Sequence, residues 1–200
     1  RIEVNAQPIN DIRYELVELK LYDEPKEALE LLKQILWDDA ENEKAVSALE
    51  KLLVHKELTL EIAKFLDPHY NKSGENEKLV GLRRAKVSLT EDAADAVVLL
   101  KQIADIELNV LHNEEDAFNT YVSALNKEPS DPELMNSVEA LAERLGLWRE
   151  LADAYDSVLK CDDVDKLAIY AKQATVYDDK LNDAENAKTA LKAILALDAE

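Results

Sequence analysis

The sequence contains few of the residues that make turns, with three glycines and five prolines in 200 residues. Sheet proteins need such residues far more often, because a turn joins each strand to the next. Alanine, leucine, glutamate, lysine and aspartate dominate instead, which is typical of helical proteins. The composition therefore predicts an all-α fold.

Residues suited to catalysis or metal binding are also scarce. Cys161 is the only cysteine, so no internal disulfide can form. The three histidines, His55, His69 and His112, have no metal-ligand spacing, since no two lie four apart and none lies beside the cysteine. The chain has neither a G-x-S-x-G sequence nor a glycine-rich phosphate loop. We expect a non-enzymatic protein without metal, cofactor or catalytic residues; a catalytic helical domain is the remaining alternative.

Positive charge is in short supply, since 43 acidic residues face 24 basic ones and the net charge is −19. Such a field repels phosphate backbones and anionic lipids, so we expect no nucleic-acid partner. No run approaches the roughly 18 apolar residues of a membrane span. We therefore predict a soluble protein without membrane insertion, with the cytoplasm favoured over the periplasm. The chain lacks an initiator methionine and stops at ALDAE, so we expect a piece of a longer protein.

Hydrophobic periodicity and turn residues predict eleven helices. Proline follows an acidic residue at Pro25 and Pro132, which is typical of a helix start, and Gly74 and Gly146 are placed to end helices. The predicted helices are 10–21, 25–38, 42–54, 58–72, 75–89, 92–111, 114–127, 131–145, 148–160, 164–181 and 184–198.

The small or apolar residue early in the second helix of each pair recurs at a nearly constant spacing. Leu79, Ala117, Leu151 and Ala187 are separated by 38, 34 and 36 residues. Ala28 precedes Leu79 by 51, which is one repeat plus a single extra helix. The spacing predicts helix pairs with a period near 34 and an unpaired helix near 42–54, within an irregular region 41–90.

The repeats resemble those of tetratricopeptide repeat (TPR) proteins over nearly the whole chain. The resemblance implies a single right-handed α-α superhelix over residues 1–200, and the segment NDAENAKTALKAILALD is similar to long bacterial members. It is weakest in 41–90, where Arg83 and Lys86 take apolar positions. The matching residues are Leu16, Leu19, Ala28, Leu32 and Ile35; Ala104, Ala117, Tyr121, Ala124 and Pro129; Gly146, Trp148, Leu151, Tyr155 and Val158; and Ala174, Tyr177, Ala187, Leu191 and Ile194.

The resemblance also implies a concave groove that binds a peptide segment or a partner helix. Six basic and two acidic residues among the inward positions suit an acidic or amphipathic segment. We therefore expect an interaction scaffold; the alternative is a spacer, oligomerisation or regulatory arm of a larger enzyme or cell-envelope complex. The implied groove residues are Arg13, Lys20, Lys64, Asn71, Lys72, Lys101, Asp105, Asn136, Arg144, Thr175 and Asp178.

One subtype of the family is not expected. Members that capture chaperone C-terminal carboxylates resemble each other in a Lys and an Asn four residues apart on the groove helix. Here Lys101 is followed by Asp105, which would repel a carboxylate, and Lys64 is followed by Pro68. Pro68 should instead kink the fourth helix, leaving either a harmless irregularity or a notch for a partner.

Three further patterns have structural interpretations. The acidic clusters 38–43, 113–116 and 161–165 are expected at helix starts rather than as calcium sites. The basic patch Arg83, Arg84 and Lys86 should pair with neighbouring carboxylates, with contact to an acidic partner as the alternative. The aromatic residues, including Trp37 and Tyr22, are expected to pack between helices.

Overall fold

The computed structural model describes residues 7–197, and within that range every regular element is helical, as predicted. A 3₁₀ turn, Lys56–Leu58, precedes α4, and a π-helical turn, Val176–Lys180, continues α10. The helices are α1 Gln7–Lys20, α2 Pro25–Asp38, α3 Glu43–Leu52, α4 Thr59–Ser73, α5 Asn76–Leu89, α6 Ala93–Asn109, α7 Glu114–Leu125, α8 Pro132–Leu145, α9 Trp148–Val158, α10 Lys166–Thr175 and α11 Ala184–Leu197.

The ends of the helices follow from local chemistry. Pro25 and Pro132 are the first residues of α2 and α8, where a missing N–H costs nothing. The Asp131 carboxylate accepts hydrogen bonds from the backbone of Glu133 and Leu134 and so caps α8. Gly74 and Gly146 end α4 and α8 with φ of 74° and 73°, a left-handed conformation that favours glycine. These four positions confirm the sequence predictions.

All three acidic clusters contribute caps in the same way. In the cluster 38–43, Asn42 accepts a hydrogen bond from the backbone of Ala45 at the start of α3. Asn113 accepts a hydrogen bond from the backbone of Asp116 at the start of α7. Asp165 accepts one from Ala168 at the start of α10. The helix-start interpretation of these clusters is thus confirmed, because side-chain oxygens there satisfy backbone N–H groups that have no partner within the helix.

The chain divides into two compact units, Arg1–Leu89 and Thr90–Glu200. In the first unit α1 packs on α2 and α4 packs on α5, while α3 contacts both α2 and α4. In the second unit each helix from α6 to α11 packs against the next one along the chain. An unpaired helix within region 41–90 and a single superhelix stay predictions.

The second unit repeats its own turn geometry at an interval of 70 residues, or two periods. Before α7, His112 has φ 54° and the N–H of Asn113 donates to the carbonyl of Glu107 at 2.8 Å. Before α11, Asn182 has φ 51° and the N–H of Asp183 donates to Tyr177 at 2.7 Å. Positive φ at residues other than glycine is uncommon, so the match indicates one supersecondary unit used twice.

The core contains the small residues that the repeat predicts. Ala28, Ala104, Ala117 and Ala124 are fully buried, and Tyr121 is nearly so. Small side chains at these positions let neighbouring helices approach closely.

Several apolar residues expected in the core lie outside it instead. Trp37 is 90% exposed and Tyr22 is also exposed, so the prediction that these two aromatic residues pack between helices was wrong. Three residues that match the repeat pattern are exposed as well, namely Leu16, Leu19 and Leu191. The last three lie on α1 and α11, the first and last helices described, and Tyr22 directly follows α1. An amphipathic pattern gives the angular position of an apolar face, but it does not provide the neighbouring helix that would cover it.

Candidate interaction site in the first unit

An apolar cavity of about 210 Å³ lies between α2, α3 and α4 of the first unit. We call it the α2–α4 cavity. Its walls are predominantly apolar, and charged or polar side chains stand among them. The lining residues are Leu36, Ala40, Glu41, Val46, Leu49, Lys64, Phe65, Pro68, His69 and Lys72.

Helical spacing brings these side chains together. Lys64, Pro68 and Lys72 are spaced four apart and therefore share one face of α4, with Phe65 beside them. Pro68 lies inside α4 and has no N–H to donate to the carbonyl of Lys64. The carbonyl of Lys64, a residue that lines the cavity, therefore lacks the N–H donor that an α-helix normally supplies.

The rim of the cavity carries one cation without a local counter-ion. Lys64 is exposed and forms no ion pair with any residue in the range 7–197. Lys72 pairs with Glu41 across the cavity, and this hydrogen bond lowers the pKa of the Glu41 carboxyl. Both members of that pair are well exposed, so water competes for them and a ligand carboxylate can displace Glu41 at little cost.

The remaining cations of the predicted groove are already neutralised within each unit. In the first unit Arg13 contacts Asp38 at 2.7 Å, and Lys20 lies 2.7 Å from both Glu24 and Glu27. Asn71 is exposed and does not line the cavity. Of the four predicted groove cations in the first unit, only Lys64 has no ion-pair partner among residues 7–197, and the exposed Lys72–Glu41 pair is open to competition.

The predicted groove residues of the second unit include a lysine that is already paired. Lys101 contacts Asp131 at 2.6 Å, and Asn136, Thr175 and Asp178 are exposed. The carboxylate of Asp131 therefore both caps α8 and holds Lys101 of α6. Burial raises the pKa of Asp131, but hydrogen bonds from Lys101 and from the backbone outweigh it, and the pKa falls below its usual value.

Arg144 lies at a second cavity, of about 200 Å³, which α6, α7 and α8 enclose. Leu108, Tyr121 and Leu141 supply its large apolar side chains. The guanidinium of Arg144 lies 3.0 Å from Glu114, so the charge at this rim is already compensated. Of the eleven predicted residues, Lys64 and Lys72 line the first cavity, Arg144 lines the second, and the other eight line neither.

A tyrosine–carboxylate hydrogen bond recurs at the repeat period, and sequence reasoning missed it. Tyr121 donates to Asp105 at 2.9 Å, and Tyr155 donates to Glu139 at 3.0 Å, each 34 residues further along the chain. Burial raises the pKa of both phenols, and the carboxylates raise it further. An acidic residue 16 positions before a tyrosine in consecutive repeats was the available signal. Asp105 thus helps to join α6 to α7, whatever else it contacts.

The basic patch of α5 has a structural role. Arg83 contacts the Asp67 carboxylate of α4 at 2.9 Å, Lys86 contacts it at 3.2 Å, and Arg84 is exposed. Burial alone would raise the pKa of Asp67, but hydrogen bonds from the two cations outweigh it and lower the pKa. The expected pairing with neighbouring carboxylates is confirmed for Arg83 and Lys86.

The described residues form neither a metal cluster nor a membrane-spanning helix. Among residues 7–197, no group of three or more His, Cys, Asp or Glu side chains is arranged to hold a metal ion. In the same range, no helix is both long and apolar enough to cross a membrane.

Comparisons with known proteins assign no family to the chain. No protein-family model matches it, and no curated protein matches it. Among solved structures, it is similar to a chain from the crystal structure of BtubC (BKLC) from P. vanneervenii. That match has 14% sequence identity and a TM-score of 0.36, and it covers 96% of this chain and 89% of the other. At this level the likeness carries no argument about function.

Proposed function

We propose that this protein is a non-enzymatic interaction scaffold of the TPR type, whose α2–α4 cavity holds an apolar side chain of an acidic peptide segment. The observation that carries the proposal is the combination of an apolar cavity with Lys64, an exposed cation that has no ion-pair partner among residues 7–197. In a chain with 43 acidic and 24 basic residues, an uncompensated cation beside an apolar cavity is unusual.

The size of the cavity favours a peptide anchor over a small molecule. Pockets for drug-sized ligands and cofactors usually enclose about 300–1,000 Å³. The α2–α4 cavity has about 210 Å³, which suits part of a ligand, such as one leucine or phenylalanine side chain. A peptide would gain affinity from that anchor and further contacts along the helices.

The charges at the rim favour an acidic neighbour to the anchor. Lys64 and Lys72 stand on the same face of α4, two turns apart. A peptide carboxylate can pair with Lys64 directly and can replace Glu41 at Lys72. Such rim contacts contribute more to association rate and specificity than to affinity, so binding should weaken as salt rises.

The wider scaffold remains part of the same proposal. It includes a right-handed superhelix, and in the second unit its groove residues include Lys101 and Arg144. The second candidate function is an oligomerisation or spacer arm of a larger protein. The exposed apolar residues Leu19 of α1 and Leu195 of α11 support that candidate.

A peptide selection tests the proposed function. Random peptides of about 12 residues, long enough to cross two helices, are displayed and selected against the wild-type chain. Enriched peptides should carry a large apolar residue next to Asp or Glu. Their affinity should fall about tenfold or more with Lys64→Glu and with Phe65→Ala, as expected when one charge contact or one anchor is removed.

Two variants serve as matched controls. Lys127→Glu changes the same charge on an exposed residue after α7, and Leu60→Ala truncates an exposed residue of α4. Neither residue lines the α2–α4 cavity, so both variants should bind as the wild type does. If the selected peptides bind equally well to Lys64→Glu and Phe65→Ala, the α2–α4 cavity is not the site.

A further inference from the structure

Trp37 of α2 places a large aromatic side chain in water. It is 90% exposed, and no large apolar residue in the range 7–197 is exposed to a greater extent. Tryptophan is usually mostly buried, and it is enriched among the residues that carry most of the binding energy of interfaces. The position of Trp37 relative to the α2–α4 cavity therefore decides whether it belongs to that site.

Two ion pairs locate Trp37 beside α4. Lys33 of α2 contacts Glu61 of α4. Glu41, which follows α2, contacts Lys72 of α4. Trp37 is four residues from both Lys33 and Glu41, so it shares a helix face with Lys33 and lies between the two ion pairs along the chain. Because both pairs follow α2 and α4 in the same chain direction, the part of α4 nearest to Trp37 lies between Glu61 and Lys72.

That part of α4 forms one wall of the α2–α4 cavity, through Lys64, Phe65 and Pro68. On the α2 side, the buried Leu36 lines the cavity and directly precedes Trp37. Successive side chains of a helix are about 100° apart, so Trp37 lies beside the cavity and outside it. Trp37 and Lys64 thus flank the cavity from two helices, the first from α2 and the second from α4.

The ring faces of Trp37 are open to a partner. The other tryptophan of the chain, Trp148, has the ammonium group of Lys180 over its ring at 4.7 Å from the centroid. Among residues 7–197, the Trp37 side chain has no ring contact, no hydrogen bond and no cation over its ring. Its indole therefore offers a flat apolar surface to a ligand without the loss of an existing contact.

Lys64 decides which chemical group suits that surface. An indole face binds either an apolar side chain or a cation. A cation of the ligand would be repelled by Lys64, which has no ion-pair partner in the range 7–197, whereas a ligand carboxylate would be attracted. The charge at the cavity thus favours an apolar side chain on Trp37 in a segment that also carries an acidic residue.

We propose that Trp37 is a second contact residue of the peptide site and determines its specificity. The acidic segment then carries two large apolar side chains, one that enters the α2–α4 cavity and one that stacks on the indole of Trp37. This inference rests on the proposed function and adds to it the requirement for a second apolar residue.

Tryptophan fluorescence tests whether Trp37 meets the peptide. The chain has two tryptophans, so Trp148→Phe leaves Trp37 as the only one. This variant is titrated with selected peptides that contain no tryptophan. On binding, the emission of Trp37 should shift to shorter wavelength, and acrylamide, a neutral quencher that the charge of the peptide does not attract or repel, should quench it less.

Affinities of three variants test whether the contact matters. Trp37→Ala should weaken binding of the selected peptides about tenfold, and Trp37→Phe, which keeps a flat apolar ring, should weaken it less. Tyr22→Ala is the matched control, because Tyr22 is also a highly exposed aromatic residue of the first unit and does not line the cavity. It should bind as the wild type does. Trp37 contributes little to the core, so urea unfolding of Trp37→Ala should match that of the wild type.

Peptide variants identify the partner of Trp37. Each of the two apolar residues of a selected peptide is replaced in turn by alanine. For one of the two, the replacement should weaken binding to the wild type about tenfold and binding to Trp37→Ala hardly further, since the contact is already lost there. For the other, Phe65→Ala should give the same result.

The outcomes separate this inference from the proposed function. Unchanged emission and quenching of Trp37, with wild-type affinity in Trp37→Ala, would overturn the inference; the proposed function still stands if Lys64→Glu and Phe65→Ala weaken binding. Wild-type affinity in all three variants would overturn both. If only Trp37→Ala weakened binding, the peptide would bind at Trp37 without the cavity, which contradicts both.

Discussion

Replacing Ala117 with leucine tests whether the helix register derived from the repeat is correct. Ala117 has no solvent exposure and lies on α7, which packs against α6 and α8. Leucine adds a branched group of three carbons at this contact. Because protein interiors are close-packed, the added atoms must displace a neighbouring helix or adopt a strained rotamer.

The size of the effect is set by two opposing contributions. Burying three more carbon atoms would stabilise the fold by about 0.8 kcal/mol each if space were available. Overpacking a filled core reverses that gain and costs about 1–3 kcal/mol net. For a chain of this size that corresponds to a decrease in Tm of roughly 2–12 °C. We expect a net destabilisation of about 1–3 kcal/mol, because fully buried alanines recur along this contact.

Urea unfolding followed by far-UV circular dichroism measures the change, with Ala171→Leu as the control. Ala171 is exposed within α10, where leucine and alanine differ little in helix propensity, so its midpoint should barely move. An unchanged unfolding free energy for Ala117→Leu would show that the register is wrong. An increase would show unfilled space beside Ala117.

Two further predictions concern the contacts of Asp67 with Arg83 and Lys86, and two of the glycines. Asp67→Asn should destabilise the protein by about 1–3 kcal/mol, because Arg83 and Lys86 then lose a partly buried partner. The lowered pKa of Asp67 means that its contribution is present above the unfolded-state pKa and is lost as pH falls through the lower folded-state value. Unfolding measured from about pH 6 to pH 2 should therefore show a shallower acid dependence in the variant than in the wild type; equal slopes would contradict the assignment. Gly146→Ala should destabilise the protein by about 1 kcal/mol, because the residue has a positive φ. Gly81→Ala should stabilise it by about 0.5–1 kcal/mol, because Gly81 lies inside α5 with open space around it. Thermal melts in which Gly146→Ala has the higher Tm of the two variants would refute this.

The helix boundaries could be predicted from the sequence because the residues that begin and end helices act locally. Pro25, Pro132, Gly74 and Gly146 act within a few residues of themselves, so each boundary can be read without knowledge of the fold. The repeat spacing likewise follows from residues along one helix face, and the matching turns before α7 and α11 agree with it.

The site was harder to predict because its charges depend on partners distant in sequence. Lys101 and Asp131 are 30 residues apart, and only packing of α6 near the start of α8 brings them together. Lys64 and Lys101 look alike in the sequence, yet only Lys101 has an ion-pair partner among residues 7–197. Pro68 was the one local signal for the α2–α4 cavity, since a proline inside a helix marks an irregular wall.

Amide chemical-shift mapping by NMR tests the central claim most directly. The ¹⁵N-labelled chain is titrated with the acidic peptide most enriched in the selection, and the shifted resonances are assigned to residues. The proposed function predicts shifts that cluster at Lys64, Phe65, Lys72 and Val46 around the α2–α4 cavity and that disappear in Lys64→Glu. Shifts confined to the second unit, or unchanged by Lys64→Glu, would contradict it.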